Sequence, residues 1–135
     1  MIRPARVDDF EQINDILYEA FNFHHSRRFF IQKLEAKRLY VYEVDGEVVG
    51  VMDIIIEKDS VYISLLAVKK EYRNRGIGSK FLKFAEGLAK KYGKEYITTH
   101  PEIRAIDYYL KKGFEFIEKY ENGKIEYLMI KRLKK

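Results

Sequence analysis

Residues 73–79 read Arg73-Asn74-Arg75-Gly76-Ile77-Gly78-Ser79, two arginines and two glycines in seven positions, and they open a helical repeat through Ile77, Phe81, Phe84, Ala85 and Leu88. A segment of this kind can hold an anion. The first N–H groups of a helix have no acceptor inside the helix, the aligned peptide dipoles are positive there, and glycine lets an anion approach the main chain closely. The Arg73 and Arg75 guanidinium groups add fixed positive charge. Two other phosphate loops do not fit. A Walker loop needs four residues between its glycine and a Gly-Lys pair, and Gly76 and Gly78 are separated by one. A dinucleotide fingerprint needs a third glycine at position 81, which is Phe81.

The flanking periodicities predict the elements that position this loop. Phe10, Ile13, Leu17, Ala20 and Phe21 recur at helical spacing behind the acidic pair Asp8-Asp9, with Asp8 as the expected cap, and Ser26 is placed to cap a second helix carrying Phe29, Phe30 and Leu34. Segments 39–44, 47–57 and 61–68 are rich in valine, isoleucine and tyrosine and read as an antiparallel meander, its first turn made by Asp45-Gly46. A helix over 76–92 closes at Gly93. A short strand at 95–99 precedes a helix from Pro101 to Lys112 that ends at Gly113. Strands 114–120 and 125–133 flank Asn122-Gly123, and an extra strand is expected at 2–6. The order predicts a single α+β domain over 1–135, a mixed sheet with helices on both faces.

Composition removes whole classes of function. There is no cysteine among 135 residues, which excludes a disulfide scaffold, a thiolate nucleophile and zinc held by sulfur. No run of eighteen apolar residues exists and the chain opens on Met1-Ile2-Arg3-Pro4, so the expectation is a cytoplasmic protein with no membrane span. The net charge is +5, but the charges are interspersed, which argues against nucleic acid as a partner. Seventeen lysines and fourteen glutamates against two glutamines resemble the bias of proteins from hot environments, and a thermophilic source is expected.

Arg73-x-x-Gly76-x-Gly78, following a strand that ends Leu66-Ala67-Val68, resembles the pyrophosphate-binding motif of the GNAT (N-acetyltransferase) superfamily. A second stretch, Ala105-Ile106-Asp107-Tyr108-Tyr109-Leu110-Lys111-Lys112-Gly113-Phe114, is similar to that family's Ala-x-x-x-Tyr-x-x-x-Gly-Phe signature. The Ile2-Arg3-Pro4-Ala5 opening and the element order agree, so the resemblance extends over almost the whole chain. It implies the GNAT acyl-CoA N-acyltransferase fold, a mostly antiparallel mixed sheet flanked by helices. It also implies acetyl-CoA as acetyl donor and transfer to a primary amine by direct attack in a ternary complex.

Carried over residue by residue, the resemblance puts the diphosphate of acetyl-CoA on main-chain N–H groups of Asn74, Arg75, Gly76, Ile77, Gly78 and Ser79, with Arg73 beside them. The pantetheine arm would run along the main chain of Leu66, Ala67 and Val68, where two parallel strands splay, and an N–H near Leu66 or Ala67 would polarise the thioester carbonyl. Tyr109 takes the position of the tyrosine that assists departure of the CoA thiolate. A phenol near pKa 10 cannot fully protonate a thiolate near 8.5, the step being uphill by about 2 kcal/mol, so a hydrogen bond is the expected role.

The sequence departs from the family at three places. Glu102 stands where an asparagine often precedes the alanine by three; Ile97 stands where ribosomal-protein alanine acetyltransferases carry glutamate, and Tyr62 where histone-type relatives do. No general base follows, and Asp53, Glu57, Ser64 and Thr98 are the polar strand residues within consideration, each read as solvated or strand-face polar.

The acceptor stays open between small amines and protein lysines, a homodimer is allowed, and the rival reading is an acyl-CoA-binding sensor without catalysis. His24, His25 and His100 are read as surface or loop residues, and no metal site is expected. Arg27-Arg28 are read as the solvated side of an amphipathic helix, and 21–30 as one wall of the acceptor pocket.

Overall fold

Asp45-Gly46 and Asn122-Gly123 both adopt left-handed backbone angles, with φ of 50° and 82° in the first pair and 53° and 75° in the second. A two-residue turn with positive φ at both central residues matches the right-handed twist of the strands it joins. They join β2 (Leu39–Val44) to β3 (Glu47–Ile56) and β6 (Glu115–Glu121) to β7 (Lys124–Arg132), and each pair is antiparallel. The structure is a computed structural model that describes residues 1–133. The seven strands are ordered β1-β2-β3-β4-β5-β7-β6, with β1 at Ile2–Pro4, β4 at Ser60–Val68 and β5 at Tyr96–Thr99. This is the expected mixed α+β sheet: β4 and β5 run parallel while β1–β2, β2–β3, β5–β7 and β6–β7 run antiparallel. The chain forms two compact units, Met1–Ile54 with Leu65–Leu82, and Ile55–Ser64 with Lys83–Lys135.

In the first unit, α1 (Phe10–Phe21) and α2 (Arg27–Glu35) bury their apolar stripes on one face of the strands. Ile13, Ile16 and Leu17 of α1 and Phe30 of α2 cluster with Leu39, Val41, Val48, Val51 and Ala67. Phe10 meets Phe30 edge to face at 5.1 Å. Fully burying a side chain such as Phe30 is worth about 1.5–3 kcal/mol relative to leaving it exposed. Val48 and Val51 share this face because the β2–β3 register shifts: Glu43 pairs with Val48 and Tyr42 with Gly50, so Val49 is the extra residue of a bulge. The opposite side of β3 meets α3 (Ile77–Lys91), where a Cβ on Gly50 would lie 2.8 Å from Cε2 of the buried Phe81 ring.

Local signals explain the helix ends. Ser26 Oγ accepts from the Phe29 N–H at 3.1 Å, as its position predicted. Asn22, at φ 54°, ends α1 in the left-handed conformation. The expected Asp8 cap of α1 is not made: Asp9 stands at the cap position without a side-chain cap bond, and its buried carboxylate accepts from the Arg6 N–H ahead of the helix at 2.7 Å and from both terminal nitrogens of Arg3. The helix expected from Pro101 to Lys112 is shorter: α4 spans Ile106–Lys111 behind a 3-10 turn at Ile103–Ala105. Glu102 is extended, and its carbonyl accepts from the Ala105 N–H at 2.9 Å, so Pro101 lies ahead of the helix and not in its first turn. Gly93 and Gly113 take the left-handed conformation that follows α3 and α4.

The second unit buries Val61, Ile63, Ala85, Ala89, Ile97, Tyr109, Phe114 and Met129. Among the described residues no helix is long and apolar enough to cross a membrane.

Candidate active site

The loop that leads into α3 is fixed at both ends and open in the middle. At its start, the Lys69 N–H donates to the Val49 carbonyl at 2.7 Å and the Lys70 N–H to Glu19 Oε1 at 2.7 Å. A 3-10 turn at Lys70–Tyr72 follows. Asn74 (φ 63°) and Gly76 (φ 82°) are both left-handed, and a Cβ on Gly76 would meet nothing within 4 Å. Ile77 is buried and anchors the helix start, while residues 73–76 are exposed. The Lys80 N–H reaches back to the Gly76 carbonyl at 3.0 Å, so the N–H groups of Ile77, Gly78 and Ser79 lie ahead of the first intrahelical bond. Left-handed residues leading into a helix N-terminus are the backbone geometry of anion-binding concavities.

The arginines do not simply point outward. Arg73 Nε donates to the Val68 carbonyl at 2.9 Å, and its guanidinium lies 3.8 Å from Glu19. Arg73 thereby braces the loop against the end of β4, and the Val68 carbonyl already has a donor. The Arg75 guanidinium sits over the Tyr72 ring at 4.9 Å, and Lys80 Nζ donates to the Tyr42 hydroxyl at 3.1 Å. Leu66 and Val68 are half-buried and Ala67 is buried.

The parallel strands part where the sequence expects. Pairing of β4 with β5 runs from Ser60↔Tyr96 to Ile63↔Thr99 and stops, while β4 continues to Val68. The last pair is pinned by Thr99 Oγ1, which donates to the Ile63 carbonyl at 2.9 Å. Tyr109 of α4 is buried, edge to face with Phe114 at 5.2 Å, and its hydroxyl meets the Thr99 side chain. Burial, followed by the neighbouring Tyr108, pushes its phenol up to about 12, against a smaller opposing effect of the Thr99 contact. Tyr109 therefore keeps its hydroxyl proton at neutral pH.

From the neighbouring rung of the ladder, Tyr62 makes a pair that the sequence did not predict: its hydroxyl is 3.0 Å from His100 Nδ1, their rings edge to face at 5.5 Å. Tyr62 pairs with Thr98 across the strands, and His100 is the exposed residue that follows β5. Neighbouring rungs of a parallel ladder could have shown this only with the register known. Of the polar strand residues, Ser64 is exposed, Thr98 is nearly buried, and Glu57 accepts from Ser60 Oγ at 3.3 Å.

Asp53 is not a solvated strand residue. It is fully buried and held by Lys33 Nζ at 2.7 Å and by Arg38 Nε and Nη2, each at 2.8 Å. Fully buried and hydrogen-bonded to two cations, the carboxylate is out of reach of a substrate amine, so it drops out as a base. His25, expected at the surface, is buried against the same cluster, with Nε2 2.8 Å from Lys33 Nζ. Its main chain is clamped by Asn14, which donates to the His25 carbonyl and accepts its N–H. Desolvation, then the adjacent Lys33, lowers the imidazole to about 4, so His25 is neutral and accepts from Lys33 through Nε2. Its Nδ1 has no partner.

Arg27 and Arg28 prove to be the first residues of α2, with the Arg27 guanidinium over the Phe10 ring at 4.5 Å. Tyr18, Phe23 and Phe29 are exposed, and Tyr18 stacks on His24 at 5.7 Å. No group of three or more His, Asp or Glu among the described residues could hold a metal ion.

Comparison with known proteins identifies the fold and the family. Among curated proteins, N-alpha-acetyltransferase 50 of Danio rerio is 29% identical over 130 residues, covering 90% of this chain and 76% of that protein. An uncharacterised N-acetyltransferase of Methanocaldococcus jannaschii is also 29% identical, covering 98% of this chain and 91% of its own length. The fold matches the PaiA N-acetyltransferase of Thermoplasma acidophilum, solved with coenzyme A, at a TM-score of 0.82, with 17% identity and 98% of each chain covered. It also matches N-acetylglutamate synthase of Neisseria gonorrhoeae, solved with coenzyme A and N-acetyl-glutamate, at a TM-score of 0.84 and 21% identity, covering all of this chain and 35% of that one. Residues 7–114, most of the chain, match the family described as Acetyltransferase (GNAT) family, and this chain belongs to it.

Proposed function

We propose that this acetyltransferase moves the acetyl group of acetyl-CoA to a primary amine, of a small molecule or a protein lysine, by direct attack in a ternary complex. The observation that carries the reading is the loop at residues 73–79. Two left-handed residues deliver the chain into a fifteen-residue helix whose first N–H groups have no helical acceptor. That is a cradle for the CoA diphosphate, built from the N–H groups of Asn74, Arg75, Gly76, Ile77, Gly78 and Ser79 and braced by Arg73. The parting of β4 from β5 after Ile63 and Thr99 supports a role for the main chain of Leu66, Ala67 and Val68 toward the amide-rich arm.

In the transfer, the amine nitrogen bonds to the thioester carbon, the C–S bond breaks, and the amine loses a proton while the sulfur gains one. Tyr109 keeps its proton: its O–H hydrogen bond goes to the departing sulfur and stabilises the developing thiolate, which takes its proton from solvent on leaving. Tyr62 and His100 fit the uptake of the amine proton: with the Tyr62 O–H donating to Nδ1, a proton received at the Tyr62 oxygen passes on to the exposed imidazole.

Thiol release from acetyl-CoA across a panel of amines tests the proposal. Acceptor-dependent release in the parent, lowered by His100→Ala most strongly at neutral pH and recovered at high pH, is the expected result. Binding of CoA with no thiol release under any amine would remove the catalytic reading.

A further inference from the structure

We infer that the outer face and free edge of the β6–β7 hairpin form a docking strip for a basic, extended protein segment. The register of the hairpin places Phe116, Glu118, Tyr120, Ile125, Tyr127 and Met129 on one face, because Phe116 pairs with Met129, Glu118 with Tyr127 and Tyr120 with Ile125. Met129 is fully buried, but exposure climbs toward the turn: Phe116 43%, Tyr127 51%, Ile125 56% and Tyr120 75%. Four large apolar side chains on one short hairpin face are more than the scattered singles normal on a surface, and Phe116 stacks on Tyr127 at 5.2 Å.

The chemistry of the strip selects its occupant. β6 itself carries three glutamates and one lysine, a net −2 in a chain whose total is +5; Glu118 is the one charged residue of the aromatic face, and Glu115 and Glu121 lie on the reverse. Glu118 stands among the aromatic rings of its face, and aromatic π faces beside a carboxylate suit the alkylammonium group of lysine with its apolar stem. β6 is also the terminal strand of the sheet order, so it presents main-chain donors and acceptors to an incoming strand. A second copy of this chain is disfavoured there. Antiparallel self-pairing of β6 would set Glu118 against Glu118 and Glu115 against Glu121, and directly opposed like charges destabilise. A lysine-bearing strand reverses each of those signs. The inference narrows the acceptor of the proposed transfer to one presented by a protein, and it rests on that reading only for this step, because docking needs no CoA.

The test uses a fluorescein-labelled, end-blocked Lys-Val-Lys-Val-Lys-Val peptide and its Glu-Val counterpart, followed by polarisation at about 50 mM salt, where surface charge is least screened. The lysine peptide is expected to bind and the glutamate peptide not. Glu118→Lys and Tyr120→Ser, both on an exposed surface and harmless to folding, should each weaken binding about tenfold or more. Acetylation of a small amine should be unchanged in both variants, so failure of docking leaves the transferase reading standing, and loss of CoA binding leaves docking standing. Equal binding of the two peptides, indifference to both substitutions, or a dimer of this chain that Tyr120→Ser dissociates would each overturn the inference.

Discussion

The loop at residues 73–79 and the cluster of His25, Lys33, Arg38 and Asp53 both bring positive charge together, by opposite means. The loop is a main-chain device: contiguous residues, exposed over 73–76, with two left-handed positions and helix N–H groups that have no helical acceptor. The cluster is a side-chain device: four residues spread over 29 positions, buried, and turned on one another at 2.7–2.8 Å. An arrangement that is to bind an anion must leave its donors unspent, whereas one that holds a fold must spend them. That distinction separates a functional constellation from a structural one more reliably than residue type does, since both contain arginine or lysine.

The largest effect should come from the cluster. Asp53→Ala leaves Lys33 and Arg38 without their anion, and loss of one partner of a buried pair costs about 3–5 kcal/mol. Urea unfolding should register that loss, while CoA affinity of the folded fraction stays as in the parent. Next, Tyr109→Phe removes an O–H donor from a buried ring without changing its shape, so kcat should fall by about a hundredfold with little change in melting temperature or in KM for acetyl-CoA. Equal turnover would remove Tyr109 from the mechanism.

Gly78→Ala sharpens the contrast in the other direction. Alanine favours the helix over glycine by up to about 1 kcal/mol, so stability should hold or rise while CoA binding weakens about tenfold, as calorimetry would show. The most gradual effect is the pH response of His25. Its folded-state value, lowered to about 4 from the ordinary 6.5, means the unfolded chain takes up the proton first as pH falls. The stabilisation is complete above about pH 6.5, declines toward pH 4 and is level below, with a slope of at most about 1.4 kcal/mol per pH unit. In His25→Phe that part of the slope should vanish from a series of urea midpoints.

Much of this fold was legible because its signals are local. Asp45-Gly46 and Asn122-Gly123 announce hairpins that the strands on either side then adopt, and Ser26 caps α2 from its own sequence position. The loop at 73–79 was legible for the same reason, since glycine and charge spacing act within a few residues. What was missed depends on residues meeting from afar. Nothing near Asp53 signals that Lys33 and Arg38 will enclose it, and His25 looks like a loop residue until Asn14 clamps its main chain. The Tyr62–His100 pair required the β4–β5 register, and the shortened α4 turned on whether Glu102 stayed extended.

Amide resonances of Asn74, Arg75, Gly76, Ile77, Gly78 and Ser79, followed by NMR while CoA and then pantetheine are titrated, address the loop most directly. The account requires large shifts at these six amides with CoA, much smaller ones with pantetheine, which has no diphosphate, and loss of the CoA response in Gly78→Ala. CoA binding that leaves these amides unmoved, or moves them equally with pantetheine, would contradict it.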